Sequence, residues 1–575
     1  MSMSNAIVFR LACLALLVSA LPVQAVAFKV GADAACDFTS VQDAFDAAKA
    51  NGPGMDSVYI ATNQAYTAQA LSIVDHDVWI FAGVPDCSTN TVVAGSRTHL
   101  SGNGNGGLPV LSISAPGSRR GNVIVWNLEL SDGHASAAQG GGLRVEGNLQ
   151  LTMDGLWLHD NSAQQGGGAW FKGLGNGSTL SVQSGHSQAG NGSIIEGNQA
   201  VHGGGIYADL WTIVSIADTL VSANNAVMGG GVYLTGSSSN AYASVPPDSP
   251  TGGGIRNNVA SFDGGGLYAT AGAQFSTQRY PGYLQFQVQG NQAGRDGGGV
   301  FAIDGATLGF NKTAIIGNQA GTSGVGHGGG IHAASSASVS IHAGAPDDGS
   351  DRSCLQALPC AALEGNSADL GAAAFADLGG SIAIVYARIA DNAAAAEAVL
   401  SARGANSWIT IGSALVHGNL AVGGLLHAQA GAVLNLSGST FADNTVAQLL
   451  DLADSNAQAR ASILHQPGTP MLASSGSSSV LSQCVIASDD FDPSGDVRVL
   501  DPQFVDAAMH DYRLADQSLA VDACGLSNGY IRDYALRLRG IDQIDVVDNG
   551  GPYDIGAFEM PSRDVIFADP FELVW

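Results

Sequence analysis

Carboxylates are the first residues in this 575-residue chain whose number and spacing could do chemistry. Asp75 and Asp77, and again Asp490 and Asp492, lie two residues apart, so each pair would share one face of an extended strand; adjacent Asp489 and Asp490 would point to opposite faces. Two carboxyl groups roughly 5 to 9.5 Å apart are what glycoside hydrolysis requires. With 49 acidic residues such pairs arise by chance, and Asp490 and Asp492 fall in a polar, turn-rich segment, so no catalytic residue is assigned. A second acidic group, Asp542, Asp545, Asp548 and Asp554 with Asn549, occupies "DQIDVVDNGGPYD". It offers calcium several oxygen ligands, though not at EF-hand spacing, and a solvated acidic turn is the simpler reading. The histidines of "WLHDN", "AVHGG" and "VHGN" have no carboxylate or cysteine partner at fixed spacing and read as turn or surface residues.

A clearer pattern is aromatic. Aligning the repeated triple glycines places Leu143, Ala169, Ile206, Val232, Leu267, Val300, Ile331 and Ala374 directly after the turn. The next position holds Arg144, Trp170, Tyr207, Tyr233, Tyr268, Phe301, His332 and Phe375, and the third is mostly alanine, valine or leucine. Strand alternation sends the first and third positions inward and the middle one outward. Stacked about 4.8 Å apart, Trp170, Tyr207, Tyr233, Tyr268 and Phe301 would form either an exposed strip that docks glycans or a cell-surface component, or a ladder that only stabilises the stack.

The element that must position such a row is a repeat. "GNQAVHGGGIYADL" has relatives along the chain, and their asparagines fall at 161, 198, 224, 257, 291, 318, 366, 392, 419 and 444, most often 25 to 27 residues apart. Later copies lose glycines, as in "NSADLGAAAFA". A period in the twenties with glycine corners, short strands and variable insertions predicts an all-β solenoid, a single-stranded right-handed parallel β-helix, whose coils bury their apolar faces only by stacking. The asparagine column reads as a turn ladder without chemistry.

Composition agrees with one elongated domain: 78 glycines, 12% charged residues and a net charge of −27. That acidic balance argues against nucleic acid, and against anionic polysaccharides unless a divalent cation bridges them. Residues 1–25, with "LACLALLVSALPVQAVA" after Arg10, read as a secretory signal peptide cut after Ala25 or Ala27, and no later run is apolar for long enough to predict a transmembrane helix. Export makes disulfides available. Six cysteines remain after Cys13 is removed, and of fifteen possible pairings proximity favours Cys36 with Cys87, Cys354 with Cys360, and Cys484 with Cys524.

Solenoid ends need covering. In "CDFTSVQDAFDAAKANG" Ser40 and Asp43 fit a capping box, and Val41, Ala44, Phe45 and Ala48 form one apolar face, which predicts a short N-terminal capping helix. "DFTSVQDAFDAA" resembles the opening helix of right-handed parallel β-helix proteins of the pectate-lyase-like superfamily, and "IIEGN", "FADN" and the glycine corners resemble polymorphic outer membrane protein repeats over roughly residues 125 to 450. "DPQFVDAAMHDYRLADQSLAVDACG" and "RLRGIDQIDVVDNGGPYDIGAFE" resemble the choice-of-anchor Q domain, and "VIFADPFE" resembles short tails of exported gammaproteobacterial proteins, with Pro570 in place of a glycine. "GHG" at 326–328 resembles a polygalacturonase element whose companion motifs are absent. These resemblances imply placement outside a Gram-negative cell or on its outer membrane. The domain reading is residues 26–125 for the N-terminal cap and first coils, 126–490 for the glycine-rich repeats, 491–560 for a C-terminal cap and 561–575 for a tail. An adhesin or binding scaffold is the favoured function, with a polysaccharide lyase or glycosidase and a purely structural surface protein as alternatives. No ligand or oligomeric state follows from the sequence.

Overall fold

A computed structural model describes residues 25–117, 120–174, 178–183, 190–237, 239–277, 283–343, 361–543 and 550–561. The signal peptide, Cys354 and Cys360, Asp545 and Asp548, and the tail beyond residue 561 lie outside the described residues.

One coil shows how the chain turns. Thr212–Ala217 runs along a first face, Thr219–Ser222 along a second, Asn225–Met228 forms a short edge strand, and Val232–Thr235 runs along a third face before the next coil begins at Asn240. Repetition of this path yields three long parallel sheets of 16, 14 and 15 strands, with short edge strands gathered in two smaller sheets. The protein is a parallel β-helix, and its three-sided column runs from Ala27–Val30 to Val497–Val499. At about 4.8 Å per strand, the 16-stranded face is about 70 Å tall. Among the described residues no helix is long and apolar enough to cross a membrane.

Alternation builds the core. The inward row predicted after the glycines is present in register, with Leu143 paired to Ala169, then Ile206, Val232, Leu267, Val300, Ile331 and Ala374. All eight belong to one buried apolar column.

The asparagines line the corner between the second face and the edge strands. Asn198 Oδ1 accepts from the backbone N–H and the side-chain amide of Asn161, and Asn198 donates from the same two groups to Asn224. This pairing continues through Asn258, Asn291, Asn318, Asn366, Asn392 and Asn419 to Asn444. The column therefore satisfies buried corner amides, as a turn ladder should. One member is corrected. Asn258, not Asn257, stands in the ladder; Asn257 takes the left-handed position before it (φ 54°), which Gly197 and Gly290 hold in other coils.

The ends differ from each other. Val41–Ala50 is helical, Ser40 Oγ accepts from the Asp43 N–H, and buried Val41, Ala44, Phe45 and Ala48 close the first coil. A disulfide joins Cys36 to Cys87. At the other end the segment expected to cap the column lies instead against its side. Ser413 and Ser437 donate to the carbonyls of Arg532 and Asn528, Tyr512 donates to Asp443, and Thr440 Oγ1 accepts from the Ala557 N–H. The physical reason is that the outer positions of the second face turn apolar there. Leu415 and Ala442 pack with Tyr512, while Ile463 and Ile486 pack with Val521, Ile555 and the disulfide of Cys484 with Cys524. Phe491 and Val497 pack against the end of the core itself.

Candidate functional site

The expected aromatic row forms but is closed. Trp170, Tyr207, Tyr233, Tyr268 and Phe301 stand in register on the outer side of the third face, outside the central column. Tyr207 and Tyr233 stack at 5.1 Å and Tyr233 and Tyr268 at 4.8 Å, Tyr268 meets Phe301 at 5.2 Å, and Arg144 covers Trp170 at 5.3 Å. Yet Trp170, Tyr207, Tyr268 and Phe301 are buried, and Tyr233 is half-buried beneath His202. Burial pushes the three tyrosine hydroxyls up, reinforced at each by charged or phenolic neighbours.

The glycine corner packs against the base of these residues. At Gly297 (φ 65°) the chain folds back so closely that a Cβ would lie 2.6 Å from Cβ of Phe301, and Gly264 would meet Tyr268 at 2.8 Å. Glycine here thus lets the chain fold back onto the base of the ring-bearing residue. The exposed docking strip is replaced by a sealed seam.

Further along, the seam becomes polar, its register continuing through His332, Phe375, Ser401, His427 and Asp451. His332 Nε2 lies 3.1 Å from Asp377, and His327, within the "GHG" element, lies 2.6 Å from Asp296. His427 sits between Asp451 at 3.0 Å and Glu397 at 3.3 Å, and Glu397 also receives Arg403 at 2.6 Å and the Ser401 hydroxyl at 3.2 Å. Burial opposes the charge of Asp296, but its bond to His327 and the nearby imidazoles hold its carboxyl below the usual range.

The carboxylate pairs are structural. Asp77 accepts the Asn122 N–H, Asp75 occupies a left-handed corner (φ 50°), Asp490 accepts the Asp492 N–H, and Asp492 accepts the N–H of Ser482 in the strand Ser479–Gln483. Of the acidic group considered for calcium, Asp542 is exposed, whereas Asp554 is buried with its two oxygens accepting the N–H groups of Asp522 and Met560.

An aromatic surface that the repeat alignment missed occupies the first coils. Tyr59, Trp79, Phe81 and Trp126 project from the outer side of the first face and are half-buried. Tyr59 pairs in register with Phe81, and Phe81 with Trp126. Phe81 stacks on Tyr59 at 4.8 Å and on Trp79 at 4.6 Å, while Trp126 stands edge-on to Trp79 and Phe81 at 5.1 and 5.2 Å. Asn122, Gln150 and Thr152 occupy the adjoining outer positions in the next two strands. These first coils carry no triple glycine, so aligning glycines could not reveal them; "VYIA", "VWIFAG" and "VIVW", read as alternating strands, could have done so. The arrangement suits stacking of a flat, weakly polar ligand, with amides and a hydroxyl at its margin.

No protein-family model matches this chain, and no curated protein matches its sequence.

Proposed function

We propose that the protein is an exported, surface-held β-helix scaffold that binds neutral glycans without catalysis, as an adhesin does, through the platform of Tyr59, Trp79, Phe81 and Trp126. The single observation carrying this reading is that platform: contiguous aromatic rings left half-buried on a flat sheet, where the C–H faces of a sugar ring can stack and its hydroxyls can meet Asn122, Gln150 and Thr152. Net charge of −27 favours neutral over anionic sugars, and two disulfides fit an oxidising compartment.

Binding of the mature protein to a panel of neutral and acidic glycans, followed by calorimetry on the best ligand, tests it. Trp79→Ala with Trp126→Ala is expected to weaken binding roughly 100-fold, about tenfold for each ring. Trp408→Ala, an exposed tryptophan far along the same face, should leave it unchanged. Equal affinity in all three proteins would overturn the reading. A hydrolytic reading has one specific support, His427 held between Asp451 and Glu397. Reducing-sugar release that Glu397→Gln abolishes, measured with and without calcium, would put an enzyme in place of the scaffold.

A further inference from the structure

Three successive strands of the second face, Thr98–Ser101, Leu128–Ser131 and Trp157–His159, carry His99, Glu129 and His159 on their outer side. Glu129 is the register partner of His99, and His159 lies on the diagonal beyond it. Their ligand atoms converge within 4.8 Å of one another: His159 Nε2 is 3.1 Å and His99 Nε2 3.9 Å from Glu129 Oε1. A zinc ion with bonds of about 2.0 to 2.2 Å in tetrahedral geometry holds its ligand atoms about 3.3 Å apart, so small side-chain rotations would close this set around one ion.

The surroundings favour a cation. His159 Nδ1 lies 2.8 Å from Asp160 Oδ2, the carboxylate–imidazole arrangement that fixes a metal-binding tautomer and turns Nε2 toward the cluster. His99 Nε2 also meets Ser131 Oγ at 2.6 Å, and that hydroxyl donates to Asp132. The guanidinium of Arg97, the nearby positive charge, donates to the carbonyls of Gly155 and Gly192. Glu129 and His159 are largely shielded by the neighbouring coils, whereas about half of the His99 side chain is open to solvent. That open side leaves room for a water in a fourth position. Two imidazoles and a carboxylate favour zinc over calcium, which prefers oxygen throughout.

We propose that His99, Glu129 and His159 form a zinc site that clips three consecutive coils together. Binding exchanges the contacts of His159 Nε2 with Glu129 and of His99 Nε2 with Ser131 for bonds to one ion. The site stands apart from the glycan reading, since it lies on a different face and uses none of the platform residues.

Full-length mature protein, stripped with a chelator, is titrated with zinc alone in competition with a chromophoric chelator, and again with excess calcium. One zinc per chain is expected, undisturbed by calcium, with a rise in melting temperature of the N-terminal coils. His99→Ala and Glu129→Gln should each weaken that site at least tenfold, while His134→Ala, an exposed neighbour on the edge strand, should bind as wild type. Circular dichroism of the metal-free variants separates lost ligation from lost folding, and cobalt substitution gives a second readout, visible bands present in wild type and absent from folded His99→Ala. Stoichiometry and affinity unaltered in folded His99→Ala and Glu129→Gln, or no zinc bound by wild type, would overturn the assignment.

Discussion

Tyr233 and Tyr268 lie in register on neighbouring coils with their rings 4.8 Å apart and 4° from parallel, and the glycine corners pack against the base of each. Their stacking therefore contributes to the column, and the triple change Tyr207→Ser, Tyr233→Ser and Tyr268→Ser should act on stability. Each truncation is expected to cost about 2 to 4 kcal/mol, lost burial plus the cavity left behind. Urea unfolding should show early loss of the middle coils, with affinity of the remaining folded protein for glycan unaltered. A stable triple variant that no longer binds would restore the docking strip.

The asparagine ladder makes a sharper comparison between adjacent residues. Asn258 is fully buried and accepts from two groups of Asn224 while donating two to Asn291, so Asn258→Ala strands several buried partners and should cost about 3 kcal/mol or more. Asn257 supplies a left-handed corner, so Asn257→Gly should change stability by less than about 1 kcal/mol in either direction. Thermal melts of the two variants decide this; equal losses would mean that the ladder bonds carry no special weight.

That one-residue difference marks how far the sequence could be read. A period of 25 to 27 residues and the glycine corners disclosed the solenoid, the inward row and the outward direction of the rings, because alternation depends only on the chain's own geometry. Whether an outward ring meets water depends on what folds over it, and Gly297 reaching back to Phe301 is a close approach between backbone and side chain that spacing does not encode. "NNVASFDGGG" offers two asparagines, and only the left-handed φ of the first tells them apart. His99, Glu129 and His159 come from three coils, so a search for ligands at fixed local spacing passes over them. The side-on docking of the C-terminal segment was readable only as apolar outer residues at Leu415, Ala442, Ile463 and Ile486, which look like core until the faces are known.

The Cys484–Cys524 disulfide joins a late coil to the docked segment across 40 residues of sequence. Cys524→Ser with Cys484→Ser should therefore lower the stability of docking by about 3 to 4 kcal/mol, the loop-closure value for a ring of that size. Limited proteolysis should then cut between residues 500 and 560 first and leave the coils intact, whereas Cys36→Ser with Cys87→Ser should expose the N-terminal helix instead. Release of the coils before the C-terminal segment would contradict the docking seen at Ser413, Ser437 and Thr440.

Docking of the C-terminal segment should also depend on pH, because the docked segment buries more acid than base around Arg539, the residue that bonds across to the column. Arg539 is almost wholly buried, donates to the carbonyls of Gly438 and Gly556, and faces Glu559 at 3.5 Å, with Asp554 and Asp533 buried nearby. Burial pushes the carboxyls of Asp533, Asp554 and Glu559 up, and the neighbouring charge of Asp522 adds to the shift of Asp554 as that of Asp554 adds to the shift of Glu559; Arg539 opposes these shifts without cancelling them. The docked state therefore holds protons that the released segment gives up, since free carboxyls titrate near about pH 4. Native proton uptake exceeds that of the released state between that pH and the raised native values, so docking stability falls as pH rises. It should be full below about pH 4, apart from any acid unfolding elsewhere, and lost progressively through neutral pH. Equilibrating the protein in urea at pH 5, 6, 7 and 8, then jumping to one common pH for a brief proteolytic pulse, measures the released fraction without changing the protease. The urea midpoint for release should decline across this series, and Glu559→Gln, which removes one charge from the buried pair, should flatten the decline. A midpoint that climbs with pH, or a slope that Glu559→Gln leaves intact, would show that these carboxyls are charged in the docked state and that Arg539 outweighs their burial.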